Sequence, residues 1–192
     1  IGQDPQEGVI KKNKAHSQKL IKMGTSYKQS GDFLKAIECY EKALPLSDHD
    51  DHDDLYTNIA FCYEKSGNFP KAIEYYVELM HSGVENSLAR SLYTKLAFCY
   101  QKAGDFLKAI ECYEKAIKPG VKNSHDFLLN LGCCYHKSGN IPKAIEHYEK
   151  AIQHGSKDPI TFSNLGYAHQ KSGNIPKAVE FYIKFLQLQP DL

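Results

Sequence analysis

GDFLKAIECYEKA occurs twice in this chain, letter for letter, at residues 31–43 and 104–116. Altered copies keep the same frame: GNFPKAIEYYVEL from Gly67, GNIPKAIEHYEKA from Gly139 and GNIPKAVEFYIKF from Gly173. The five leading glycines lie 36, 37, 35 and 34 residues apart. Self-similarity at that interval marks a stacked repeat architecture, in which each unit buries its apolar face on its neighbours.

Within a copy, Phe106, Ala109, Ile110, Tyr113, Ala116 and Ile117 recur at three- and four-residue spacing. That spacing lines one face of an α-helix. Tyr93, Leu96, Ala97 and Tyr100 repeat it upstream, so each unit reads as a helical hairpin. The hinge is GD or GN: glycine accepts positive φ past a helix end, and Asp or Asn then caps the next helix. Pro70, Pro142 and Pro176 fall in the first turn of the second helix, where a missing N–H costs little.

Small and large residues form separate columns. Gly24, Ala60, Ala97, Gly132 and Gly166 lie mid-way along the first helix, and Ala36, Ala72, Ala109, Ala144 and Ala178 early in the second. Their lack of bulk lets the two helices approach. Tyr27, Tyr63, Tyr100 and Tyr135 in the first helix, with Tyr40, Tyr76, Tyr113, Tyr148 and Tyr182 in the second, are expected to fill the space between units.

On these columns residues 17–192 resemble the tetratricopeptide repeat family, whose unit is a helix-turn-helix of about 34 residues. The quoted signature is Leu, then Gly or Ala, then Tyr in the first helix, and Ala, aromatic, Ala in the second. Departures are local: His169 stands in the tyrosine column, Leu79 and Phe185 replace an alanine, and only the last copy keeps the family's closing proline, Pro190. The resemblance implies an all-α, right-handed α-α superhelix of five repeats, at about 17–52, 53–89, 90–124, 125–158 and 159–192. Residues 1–16 fall outside the repeats and read as a leader or the end of a preceding segment, with an extension of the first repeat as the alternative for part of them. A helix start is expected at Asp4-Pro5-Gln6-Glu7, and the start without methionine suggests a piece of a longer polypeptide. The last copy lacks an additional polar helix, so Val179, Tyr182, Phe185 and Leu186 are expected to be exposed, open to self-association.

Composition narrows the partners. Lys plus Arg number 24 against 23 Asp plus Glu, so no global field draws the chain to nucleic acid or a membrane. Arg90 is the single arginine, which weighs against the bidentate recognition of phosphate or guanine that arginine's fork favours. No apolar run reaches transmembrane or secretory length. The six cysteines fall largely in repeat columns and form no C-x-x-C pair. They read as free thiols packed in a reducing, cytoplasmic compartment. Asp and His at 48–54, DHDDHDD, hold metal-ligand types, but a solvated loop with its last acids at a helix N-terminus is the simpler reading. No metal and no cofactor are expected.

Catalysis needs residues that break the repeat. His136 beside Cys133 offers a thiol–imidazole pair one helical turn apart, yet His136 replaces Glu64 and Gln101 of other copies and reads as a surface substitution. No phosphate-binding glycine loop, H-E-x-x-H or G-x-S-x-G occurs, so no enzyme activity is expected in this segment.

The family resemblance implies instead a concave groove, lined by the first helices, that holds an extended peptide or partner helix. In that frame the groove residues are Asn58, Phe61, Lys65, Lys95, Phe98, Lys102, Asn130, Lys137, Asn164, Tyr167 and Lys171. The rings offer apolar surface, the asparagines can pair with a peptide backbone, and the lysines favour acidic ligands. The alternative for Phe61 and Phe98 is packing between neighbouring units. Co-chaperones that bind heat-shock protein tails share only Asn58 and Lys95 of their ligand-binding pattern, so that subclass is not implied. The asparagine ladder is more similar to that of O-linked N-acetylglucosamine transferase and spindle-orientation adaptors, interrupted here by Lys22 and Lys95. Two rivals remain: a substrate-docking arm of an enzyme whose catalytic domain lies outside this segment, and an RNA-binding helical repeat, which the near-identical copies disfavour.

Overall fold

The computed structural model describes residues 5–83, 86–117 and 123–189, with only the backbone of Pro5, Glu7, Asn86 and Ser87. Asp4 and Pro190 lie outside them. Among the described residues there are ten α-helices and no strand. They are α1 Pro5–Gln29, α2 Phe33–Ala43, α3 His52–Lys65, α4 Phe69–His81, α5 Asn86–Ala103, α6 Phe106–Ala116, α7 His125–Lys137, α8 Ile141–Gln153, α9 Pro159–Lys171 and α10 Ile175–Gln187. Paired in order they are the five expected hairpins. The chain divides into two compact units, 1–99 and 100–192.

The hinges form as their residues require. Gly31 and Gly104, the glycines of the identical copies, take φ of 81° and 86°, a region that costs a side-chain-bearing residue dearly. Next to Gly31, the Asp32 amide donates back to the Tyr27 carbonyl at 2.9 Å and closes α1. Asp32, Asn68, Asp105, Asn140 and Asn174 then each accept a hydrogen bond from the backbone N–H three residues on, capping the second helix of their hairpin.

In unit 1–99, α1 packs on α2, α2 on α3 and α3 on α4. Its core gathers Ala36, Ile37, Tyr40, Ala43, Leu55, Ile59 and Cys62. In unit 100–192, α6 packs on α7, α7 on α8, α8 on α9 and α9 on α10. The small column does more than let backbones approach. A Cβ added at Gly132 would stand 2.7 Å from the Tyr148 ring, and one at Gly24 2.8 Å from that of Tyr40. The second-helix tyrosines thus lie inside their own hairpin, over its small residue, as well as against the next one: Tyr113 meets Phe127 edge-on at 5.1 Å. The first-helix tyrosines bridge hairpins by hydrogen bonds. Tyr63 donates to Glu41 at 2.8 Å, and Tyr135 donates to Glu114.

The structure adds detail at three places. α1 runs unbroken from Pro5 to Gln29, so residues 5–16 extend the first helix of the first hairpin, and Lys14 lies 2.6 Å from Asp48. His169, in the tyrosine column, is buried and stacks on Phe181 with centroids 5.6 Å apart. On α10, Val179 and Leu186 are exposed, whereas Tyr182 and Phe185 are half-buried. No helix among the described residues is long and apolar enough to cross a membrane.

Candidate functional site

In unit 1–99 the site is built around Phe61. Its position on α3, one residue before buried Cys62, leaves the ring half-buried: its edge meets Phe33 of the preceding hairpin, centroids 6.2 Å apart at 77°. Phe98 repeats the arrangement against Phe69, at 6.2 Å and 78°. Both rings therefore pack between neighbouring hairpins and keep part of their surface open. Three ammonium groups surround Phe61: Lys28, Lys65 and Lys95, with Nζ at 5.9, 5.4 and 5.8 Å from the centroid. Cation–π attraction of this kind contributes about 0.5–1 kcal/mol at an exposed site.

Asn58 is engaged on both sides. Its Oδ1 accepts from Lys28 at 2.6 Å and its Nδ2 donates to the Asp54 carbonyl at 2.8 Å. It presents Lys28 rather than offering a free amide. Beside Lys95 an open cleft of ≈ 330 Å³ is lined by Thr57, Tyr76, Leu88, Ser91 and Leu92, with Asp53 and Asp54 also on its wall.

In unit 100–192 a second cleft of ≈ 620 Å³ opens among Cys133, His136, Lys137, Ile141, Tyr148, Asn164, Tyr167 and Lys171. Tyr167 is exposed, with Lys171 Nζ 5.2 Å from its centroid and the His136 ring 5.0 Å away. Asn164 donates weakly to the Cys133 sulfur at 3.4 Å. Asn130 is half-buried and makes no side-chain hydrogen bond among the described residues. Lys102 is exposed at the end of α5. Leu129, one turn before Cys133 on α7, is buried.

No hydrogen bond joins His136 and Cys133 among the described residues. Burial pushes the Cys133 thiol up, away from thiolate character, while burial and the nearby Lys137 and Lys171 hold His136 below its ordinary pKa. The His136 position is also not a surface column. Its counterparts Glu64, Gln101 and Gln170 each accept the hydroxyl of the second-helix tyrosine, from Tyr76 at 2.9, Tyr113 at 3.2 and Tyr182 at 3.0 Å. At His136 that acceptor is lost. Among the described residues the buried Tyr148 hydroxyl has no acceptor in hydrogen-bonding geometry, although the Cys133 sulfur lies close enough to affect its ionisation. The cue was in the repeat alignment: a tyrosine kept while its acceptor column changed.

The lysines differ in their pairing. On second helices Lys35, Lys71, Lys108, Lys115, Lys150 and Lys184 lie within 3.2 Å of an Asp or Glu on their own hairpin, Lys143 stands 3.6 Å from Glu114 of the preceding one, and Lys42 and Lys177 make no ion pair among the described residues. Lys28, Lys65, Lys95, Lys137 and Lys171 of the first helices have no such ion pair among the described residues. The acidic connector bears Asp53 and Asp54 in the first turn of α3. Among the described residues no group of three or more His, Cys, Asp or Glu is placed to hold a metal ion.

Comparisons with known proteins agree on the architecture. Profiles described as tetratricopeptide repeat match residues 16–80, 91–118, 125–158 and 161–192. No curated protein sequence matches the chain. Among solved structures, a MamA protein is similar at 23% identity, covering 91% of this chain and 92% of that one, with TM-score 0.77. YrrB, described as a TPR protein with an unusual peptide-binding site, is 20% identical over 98% of this chain and 94% of its own, with TM-score 0.78. MamA residues 41 to the end from Desulfovibrio magneticus RS-1 is 13% identical over 91% and 96%, with TM-score 0.79. At these identities the likeness speaks for the fold alone.

Proposed function

Since the chain belongs to the tetratricopeptide repeat family, we propose that it is a protein-interaction scaffold whose first helices bind a peptide bearing acidic and apolar side chains. The observation that carries this reading is the placing of unpaired lysines beside open rings. Lys28, Lys65, Lys95, Lys137 and Lys171 make no ion pair among the described residues, and four of them adjoin or overlie an aromatic ring, Phe61 or Tyr167, that keeps open surface. A solvated face does not need half-exposed rings, and unpaired ammonium groups beside them favour carboxylates while the rings take apolar anchors. That YrrB is described as having a peptide-binding site supports the class of ligand.

Adjacent first helices about 10 Å apart would each meet roughly three residues of an extended strand. A single short motif is expected to bind in the micromolar range, because ordering a flexible peptide offsets much of the contact energy. The chain contributes no chemistry of its own in this reading. Its six free cysteines suit a reducing, cytoplasmic setting.

Selection from a displayed library of random peptides tests the proposal. Enriched sequences are expected to carry Asp or Glu together with large apolar residues. Their binding is expected to fall with Phe61→Ala plus Phe98→Ala, and with Lys65→Glu plus Lys137→Glu, at unchanged helical circular dichroism. Enrichment of basic peptides, or of none above background, would refute it.

A further inference from the structure

Three successive hairpins deliver one lysine each to a single ring. Lys28 comes from α1, Lys65 from α3 and Lys95 from α5, and all meet Phe61 within unit 1–99. Like charges gathered in this way repel, and the ring's quadrupole offsets only part of that for each. None of the three pairs with a described carboxylate. Of the nearby acids, Glu64 accepts the Tyr76 hydroxyl at 2.9 Å, Asp53 and Asp54 line the cleft beside Lys95 without an ion pair to it, and Lys28 donates to the neutral Asn58 amide. The result is a cluster of positive charge, assembled from separate repeats, that makes no ion pair among the described residues.

We propose that Lys28, Lys65 and Lys95 over Phe61 form the seat for a phosphorylated serine or threonine of the bound peptide. This rests on the peptide-binding reading above and names a ligand group for it. A phosphomonoester carries close to two negative charges at neutral pH and three strong acceptor oxygens, enough for three ammonium donors at once. A carboxylate carries one charge on two oxygens and would leave part of the triad uncompensated. Lysine suits the task without arginine's fork: it acts on phosphate as a point charge on a flexible stem, and the stems can lie along the Phe61 ring.

Two measurements on the full chain decide it. Titration with inorganic phosphate at constant ionic strength is expected to shift the backbone amide resonances of Asn58, Phe61, Lys65 and Lys95 more than acetate does; shifts scattered over the chain, or equal for acetate, would overturn the proposal. An array of degenerate peptides with a fixed central phosphoserine, serine or glutamate then gives the specificity. The phosphoserine arm is expected to retain the chain about tenfold better than the glutamate arm, and Lys65→Gln with Lys95→Gln is expected to abolish that preference. Equal retention by glutamate would sink the phosphate seat and leave the peptide reading standing. Retention by no arm would sink both, and displacement of phosphate by a uridine oligonucleotide in preference to the phosphopeptide would reassign the triad to nucleic acid.

Discussion

Removing one oxygen atom from equivalent positions of two hairpins is predicted to have opposite effects on stability. Tyr76 and Tyr148 occupy the same column, and both are 0% exposed. The Tyr76 hydroxyl donates to Glu64 at 2.9 Å, whereas that of Tyr148 has no protein acceptor in hydrogen-bonding geometry because His136 stands where the acceptor would be. Burying an unsatisfied hydroxyl costs about 1–3 kcal/mol judged from mutational data. Tyr148→Phe keeps the ring over Gly132 and removes that cost, so a gain of about 1–2 kcal/mol is expected. Tyr76→Phe deletes a hydrogen bond to a charged group, for a loss of about 1.5 kcal/mol, lessened where water reaches the freed Glu64. The assay is urea unfolding of the full chain followed by circular dichroism. Amide hydrogen exchange in α3 and α4 against α7 and α8 would locate each change, because repeat arrays do not always unfold as one unit. A Tyr148→Phe variant that loses as much stability as Tyr76→Phe would refute the reasoning. It would mean that the hydroxyl is satisfied in solution, for which the Cys133 sulfur, a weak acceptor, is the nearest protein group on hand.

Two further outcomes follow from burial. His136, His147 and His169 are all held below the ordinary histidine pKa by burial, with Lys177 adding at His169 and Glu149 opposing there. The unfolded chain therefore takes up protons first as pH falls, so stability present above about pH 6.5 is expected to decline below it; an unchanged urea midpoint between pH 7.5 and 5.5 would contradict this. His147 stacks on Tyr135 with centroids 5.4 Å apart, so His147→Phe is expected to preserve the stack and flatten the decline. For the thiols, burial pushes Cys62 and Cys112 up to about 11 and Cys99 and Cys134 to about 12. Native alkylation at pH 8, read by mass spectrometry, is expected first at half-exposed Cys133, and labelling of the other five at the same rate would show that the hairpins open readily.

Much of the hairpin was legible because its signals are local. A glycine at positive φ, an Asx cap one residue later and a proline in the first turn act within a few residues of chain, so they can be read from the letters alone. The lysine columns and the candidate rings were legible too, as positions. Their condition was not. Asn58 looked like a free amide and is engaged on both sides; His136 looked like a surface substitution and has instead removed the acceptor of a buried tyrosine. Both depend on a side chain from another helix.

By itself the sequence determined the repeat, its helical character, its hinges and which faces are apolar, since periodicity and backbone preference are properties of neighbouring residues. Only the tertiary structure decided which lysines keep their charge unpaired, which tyrosine lacks an acceptor, and that Lys28, Lys65 and Lys95 from three hairpins converge on Phe61. Those facts arise from packing between different helices, for Lys28 and Lys95 against a ring more than thirty positions away, where distance in space bears no fixed relation to distance along the chain.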